Sequence, residues 1–182
     1  MLDLILALVA GIVGGVAVAF LPRTATRLRP TIVMLSTTGS MIFTWRTARL
    51  IFAGESPMVV AQLAGLVWRL QPDILGIVFG LIISTLWVFA AIYSLGYMMN
   101  REKQRTYYTF FLLANSVALG VAFAGNLIAL YLFYELLTLV TYPLVIHERS
   151  PEALKAGAKY IIYSLSGAGA LLGAIVITHA LA

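Results

Sequence analysis

From its first residues the chain alternates long apolar runs with short polar interruptions. A helix needs about 20 mainly apolar residues to cross a bilayer. The pattern predicts such helices over residues 4–21, 31–52, 73–99, 106–124, 127–146 and 153–180. Arg23, Arg27, Arg29 and Pro30 separate the first two runs. The cluster Arg101-Glu102-Lys103-Gln104-Arg105 stops the third, Gly125-Asn126 punctuates the fourth, and His147 to Glu152 precedes the sixth. Pro151 suits a helix start, where its missing N–H costs nothing, and Glu152 suits the positive end of the helix dipole. Residues 54–72 break the pattern. Two apolar stretches too short to span flank Ala64-Gly65, so a small hairpin or a surface helix outside the membrane is expected there.

Composition turns this periodicity into an environment. Charged residues make up 10% of the chain and hydrophobic ones 62%, where a soluble domain carries about 25% charged residues. No water-soluble shape of this size hides that much apolar surface; the fold class expected is an all-α integral membrane protein of about six transmembrane helices, one membrane domain over 1–182. With no cysteine, disulfides and thiolate chemistry are excluded. His147 and His179 form no ligand-spaced pair, and no metal site or cofactor is expected. The first run lacks a basic leader and a small-residue cleavage site, so no removable signal peptide is expected. The net charge of +5 reads as topology rather than nucleic-acid binding, because the basic residues sit at helix ends. Eight of the twelve lie in the loops after helices one, three and five or just beyond, at Arg23, Arg27, Arg29, Arg101, Lys103, Arg105, Arg149 and Lys155. Those loops are expected in the cytoplasm, which puts both termini outside the cell membrane.

One charge lies at bilayer depth. Glu135 sits near the middle of 127–146, where an ionised side chain costs about 2.5–3.5 kcal/mol. It persists only if neutral, paired or wetted. At about 100° per residue, Tyr131, Glu135, Thr138 and Tyr142 share one face, a polar stripe of the kind a proton relay or an interhelical network needs. Pro143 cannot donate to the carbonyl of Leu139, leaving an acceptor free one turn from the carboxylate. In the sixth helix Lys159, Tyr163 and Ser166 share a face; Lys159 either partners Glu135 or snorkels to the interface. A purely structural reading makes Glu135 an interhelical hydrogen-bonder and Pro143 an ordinary kink. Gly169 and Gly173 have the spacing of a close helix contact. Asn115, Ser84 and Thr85 read as interhelical glue, and Tyr93, Tyr97, Tyr107 and Tyr108 as an interfacial belt.

The motifs add a family resemblance. Tyr93-Ser94-Leu95-Gly96-Tyr97-Met98 is similar to the YSxGYM signature of antiporter-like membrane subunits. The run from Gly125-Asn126-Leu127 through Phe133-Tyr134-Glu135-Leu136 resembles their N-L-x-x-L-F-x-x-W-E-L pattern, with Tyr134 in place of the frequent tryptophan. Lys155-Ala156-Gly157-Ala158-Lys159-Tyr160 and the Asp73 element Asp73-Ile74-Leu75 match in the right order. The matches cover roughly residues 70–175. These subunits occur in complex I, in Mrp-type Na⁺/H⁺ antiporters and in membrane-bound hydrogenase complexes.

The resemblance implies that Glu135 is the proton-pathway glutamate and Lys159 the sixth-helix lysine. Such subunits have about fourteen helices in two inverted repeats, so the chain corresponds to the N-terminal half only and a partner polypeptide is expected to supply the rest. The function expected is translocation of protons or sodium ions within a multi-subunit redox-driven or Mrp-type complex. A structural anchor for neighbouring subunits is the alternative, and a small independent transporter would need oligomerisation. No catalytic constellation is visible; redox chemistry would belong to partner subunits.

Overall fold

The computed structural model describes residues 1–22, 24–25, 28–63, 66–99 and 103–181. Arg23, Arg27 and Arg101, counted above as topology signals, and Glu102 of the same cluster lie outside them. Six helices run in order: α1 (Leu2–Phe20), α2 (Leu28–Phe52), α3 (Ile74–Met98), α4 (Gln104–Ala122), α5 (Leu127–Val145) and α6 (Pro151–Leu181). Between α2 and α3 the segment of two short apolar stretches is an antiparallel hairpin, β1 (Val59–Leu63) and β2 (Leu66–Leu70), with Val59 opposite Leu70.

By length and composition α1, α3, α5 and α6 are apolar enough to cross a membrane. Of the remaining two, α4 is enclosed by other helices, whereas α2 is polar along its inner face and exposes Leu35, Ile42 and Trp45 on its outer one. Helix α4 packs on α1, α2, α3 and α5, and it is buried without a break from Ala114 to Gly120. A helix so enclosed meets little lipid and can carry Asn115 and Ser116. The inner face of α2 holds Thr37, Ser40, Thr44 and Thr47, all fully buried. Their hydroxyls are satisfied locally or across the bundle, as a medium without water demands. Thr37 donates to Val33 O (2.9 Å), Thr44 to Ser40 O (2.9 Å) and Thr47 to Phe43 O (2.9 Å). The architecture is that of an all-α membrane protein.

Two apolar clusters close the bundle at its two ends. One gathers Leu4, Ala7, Leu8, Ala48, Ile77, Leu119 and Phe123; the other gathers Val18, Val33, Ala91, Met98, Tyr108, Phe111 and Leu112. Between them serines bond backbone on other helices: Ser40 donates to Ala7 O and Ser116 to Leu8 O, both at 2.6 Å. Trp87 Nε1 donates to Phe111 O at 3.0 Å. These bonds supply the glue expected of Ser84 and Asn115. Ser84 instead donates to Leu81 O of its own helix (3.3 Å), and the Asn115 side chain bonds nothing among the described residues.

Small residues let α1 approach this closely. A Cβ on Gly11 would stand 2.7 Å from Leu112 O and strike Ser116 Oγ, and one on Gly15 would stand 3.0 Å from Thr109 O.

Helix ends differ from expectation where side chains reach back to the backbone. Helix α2 starts at Leu28 and so takes in Arg29, which is 5% exposed and donates through Nη2 to Pro22 O at 3.1 Å. Pro30 falls in the first turn, where no helical bond is lost. Asp73 caps α3 by accepting from Gly76 N at 2.6 Å. Arg46 of α2 pairs with Asp3 of α1 at 3.2 Å. Tyr108 is no part of an interfacial belt: it is 2% exposed and its hydroxyl donates to Ser94 O at 3.0 Å. Tyr93 and Tyr97, by contrast, are exposed and stacked.

The hairpin docks on the α4–α5 joint. Gly125 N donates to Arg69 O (2.8 Å) and Gln71 N to Phe123 O (2.9 Å). Asn126 works twice: its Oδ1 caps α5 by accepting from Ala129 N (2.9 Å), and its Nδ2 donates to Val67 O (2.7 Å).

Two outcomes follow from these contacts. Gly11→Ala drives a methyl into the Leu112 carbonyl and should destabilise by about 1–3 kcal/mol through overpacking. Gly39→Ala, whose new Cβ meets only Ala10 Cβ at 3.9 Å, serves as control; thermal unfolding in detergent should show a lower midpoint for the first and little change for the second. Asn126→Ala removes a cap worth about 0.5–2 kcal/mol and a hairpin tie together. Amide hydrogen exchange should rise both over residues 66–70 and in the first turn of α5.

Candidate ion-pathway site

Helix α5 brings the acidic stripe into the structure from a firm base. Its start is held by the Asn126 cap, and midway along, Phe133 fills the space beside Gly120 of α4, where a Cβ would strike the ring. Glu135 is half-buried. Tyr131 stands one turn earlier on the same face of α5 and is the near neighbour of Glu135 there. Thr138 is 5% exposed and donates to Tyr134 O at 3.4 Å. Tyr142 is half-buried, its ring edge 3.1 Å from where a Cβ on Gly157 would sit. Leu139, whose carbonyl Pro143 leaves without an N–H donor, is 59% exposed. The α5 face carrying Glu135 therefore borders an open side of the chain.

Helix α6 meets α5 by a face other than the one the lysine spacing suggested. Gly157 lets α6 close on Tyr142 and Ile146. Three residues on, the Tyr160 hydroxyl and Thr141 Oγ1 share a hydrogen bond at 2.6 Å, and Ala168 is buried further along. These positions share one side of the helix, and Lys159, Tyr163 and Ser166 project from the opposite side. Lys159 is exposed and makes no ion pair with Glu135 among the described residues; Tyr163 is 75% exposed, and Ser166 bonds its own helix at Ile162 O (2.7 Å). Gly169 and Gly173 meet nothing within 4 Å, so the close contact belongs to Gly157 instead.

Thr141, Gly157 and Tyr160 thus form the seam, and the sequence reading singled out none of them as site residues. Thr141 lies about 120° around α5 from Glu135, off the stripe. The available signal was a glycine three residues before a tyrosine at the start of an otherwise apolar helix, next to a neighbour carrying a threonine.

At the far end of α5 the polar loops enclose a cleft of about 690 Å³, lined by Tyr97, Lys103, Tyr107, His147, Glu148 and Ser150 among others. The His147 ring stands edge-on to Tyr107, centroids 5.5 Å apart. The cleft lies between the C-terminal end of α3, the start of α4 and the α5–α6 turn, where Arg149 adopts a left-handed conformation (φ 55). It brings acid, base and hydroxyl side chains together where α5 ends.

Comparison with known proteins bears on this same region. Residues 124–182 match the family described as NADH:quinone oxidoreductase/Mrp antiporter, transmembrane. The Na⁺/H⁺ antiporter subunit A1 of Staphylococcus aureus (strain JH9) is 35% identical over 114 residues, covering 62% of this chain and 14% of that protein. The same subunit from strain Newman matches equally. Among solved structures, a chain of the membrane-bound sulfane sulfur reductase, an archaeal respiratory membrane complex, superposes with a TM-score of 0.82 at 25% identity. The match covers 98% of this chain and 28% of that one. The chain spans well under a third of either relative's length. Its α5–α6 region matches the model of the NADH:quinone oxidoreductase/Mrp antiporter transmembrane family, and the chain is similar to antiporter-like membrane subunits, as its motifs implied.

Proposed function

We propose that this chain forms part of a proton- or sodium-translocating antiporter-like subunit within a multi-subunit membrane complex, with Glu135 as its pathway carboxylate. The observation that carries the reading is a half-buried acid midway along an apolar helix, with a tyrosine beside it and an open flank next to it. A carboxylate at that depth is tolerated where it borders a hydrated path or a partner group. The names of the relatives, an antiporter subunit and a respiratory membrane complex, agree with transport as the task.

The covering helices are the second element of the proposal. Helix α6 leans on α5, and among its described side chains only Gly157 and Ala168 are buried. Further helices, from a longer polypeptide or from a partner subunit, would cover the flank of Glu135 and enclose the path. Lys159, about two turns into α6, suits a snorkelling position or a contact with those helices better than a pair with Glu135 inside this chain. Thr138 and Tyr142 continue the path from Glu135 towards the cleft at His147, which serves as its water-filled mouth. Tyr163 faces the covering helices. The basic loops put this mouth on the cytoplasmic side and both termini outside.

A structural anchor is the second reading, and one observation favours it: the interlocked part of the chain, α1–α4, buries hydroxyls and one amide at its centre but no acid. Glu135→Gln separates the two. Proton transfer by a positioned side chain contributes about 10²–10⁴-fold, so the pathway reading expects ion movement in vesicles of the assembled complex to fall to background while the subunits still co-purify. A pH-sensitive dye and radiolabelled sodium report which ion is lost. Transport at the parental rate in Glu135→Gln would leave the anchor.

A further inference from the structure

The centre of the α1–α4 bundle holds a polar group that the Glu135 stripe does not use. Asn115 is 0% exposed, and neither its Oδ1 nor its Nδ2 has a hydrogen-bond partner among the described residues. Exchanging the amide oxygen and nitrogen does not help, because both ends are orphaned. Orphaned buried amides are rare and call for a ligand.

The surroundings define what that ligand is. Ser40 of α2 and Ser116 of α4 bond the adjacent carbonyls of Ala7 and Leu8, so they lie at one level along the bundle. Gly80 packs against Phe123 and Thr44, and Trp87 bonds Phe111 O, which brings Ser84 of α3 to the same level. Thr37 and Thr44 stand one turn either side of Ser40 on the inner face of α2. Each of these five hydroxyls donates its proton to a carbonyl. Their donors are spent and their lone pairs remain. The level therefore offers Asn115 acceptors, while its Oδ1 still lacks a donor.

We propose that the interior beside Asn115, bounded by α2, α3 and α4, is a binding site for ordered water at mid-bilayer depth. Water both donates to Oδ1 and accepts from Nδ2, and its second proton suits a hydroxyl lone pair. A sodium ion satisfies Oδ1 but faces the N–H of the same amide, and no carboxylate stands at this level to neutralise it. Apolar clusters lie on both sides, from Leu4 to Phe123 and from Val18 to Leu112. The site is thus an enclosed pool for one or two molecules rather than a through-path. Holding no acid or base, it stores no proton.

Radiolytic footprinting of the assembled complex tests this, because bound water generates hydroxyl radicals in place and oxidises its neighbours. Leu112 and Leu119, one turn either side of Asn115 and both 0% exposed, should be oxidised in the parent protein. Labelling should fall several-fold in Asn115→Leu and stay unchanged in Glu135→Gln. Absence of oxidation at both leucines in the parent, or equal oxidation in Asn115→Leu, would overturn the proposal. A density map of the parent complex at a resolution showing ordered water decides the case if Asn115→Leu fails to assemble. Density within hydrogen-bonding distance of both amide atoms supports the site; an amide bonded directly to protein removes it.

Discussion

At bilayer depth no bulk water is available to satisfy a polar group, and the rest of this structure depends on how the chain meets that constraint. In α1–α4 it is met largely from within, with Asn115 the exception at the bundle's centre. Threonines on α2 bond back to their own helix, serines on α2 and α4 bond carbonyls of α1, and the Trp87 indole bonds a carbonyl of α4. The two serine bonds to α1 need close backbones, and the glycines of α1 make that approach possible. Polar residues and small residues are therefore parts of one packing solution.

Helices α5 and α6 meet the same constraint incompletely. Thr141 and Tyr160 satisfy each other across the seam, but among the described residues Glu135 has Tyr131 as its near polar neighbour, and the opposite face of α6 presents Lys159 and Tyr163 outward. A charged or phenolic side chain on an uncovered face within lipid is costly. Glu135, Lys159 and Tyr163 lie in residues 124–182, the stretch that the family model matches, and Asn115 lies outside it.

Much of the fold was legible because hydropathy and punctuation act locally. Six apolar runs became six helices, and the two short stretches around Ala64-Gly65 became a hairpin. What escaped depends on tertiary register. The angular spacing of Lys159 and Tyr163 was read correctly as one face, but spacing alone does not say which face turns to a neighbour; Gly157 decides it by admitting α5 closely. Tyr108 looked interfacial from its distance to the basic loop, and only the approach of α3 reveals Ser94 O as its partner. The double use of Asn126 was equally hidden. An asparagine before a helix signals a cap, yet the second bond needs a hairpin distant in sequence to come back to it.

These attachments also set how firmly each helix is held. Helix α5 is fastened at its start by Asn126 and the hairpin, and along its length by the Phe133 ring seated against Gly120. Helix α6 has one seam, one side-chain hydrogen bond to α5 and a turn at Arg149 already in the left-handed region. Of the two helices α5 is therefore the better fastened, and Glu135 stands on it. Thr141 and Tyr160 join α6 to it about 120° around α5 from Glu135, so this hydroxyl pair holds the seam without occupying the face that carries the acid.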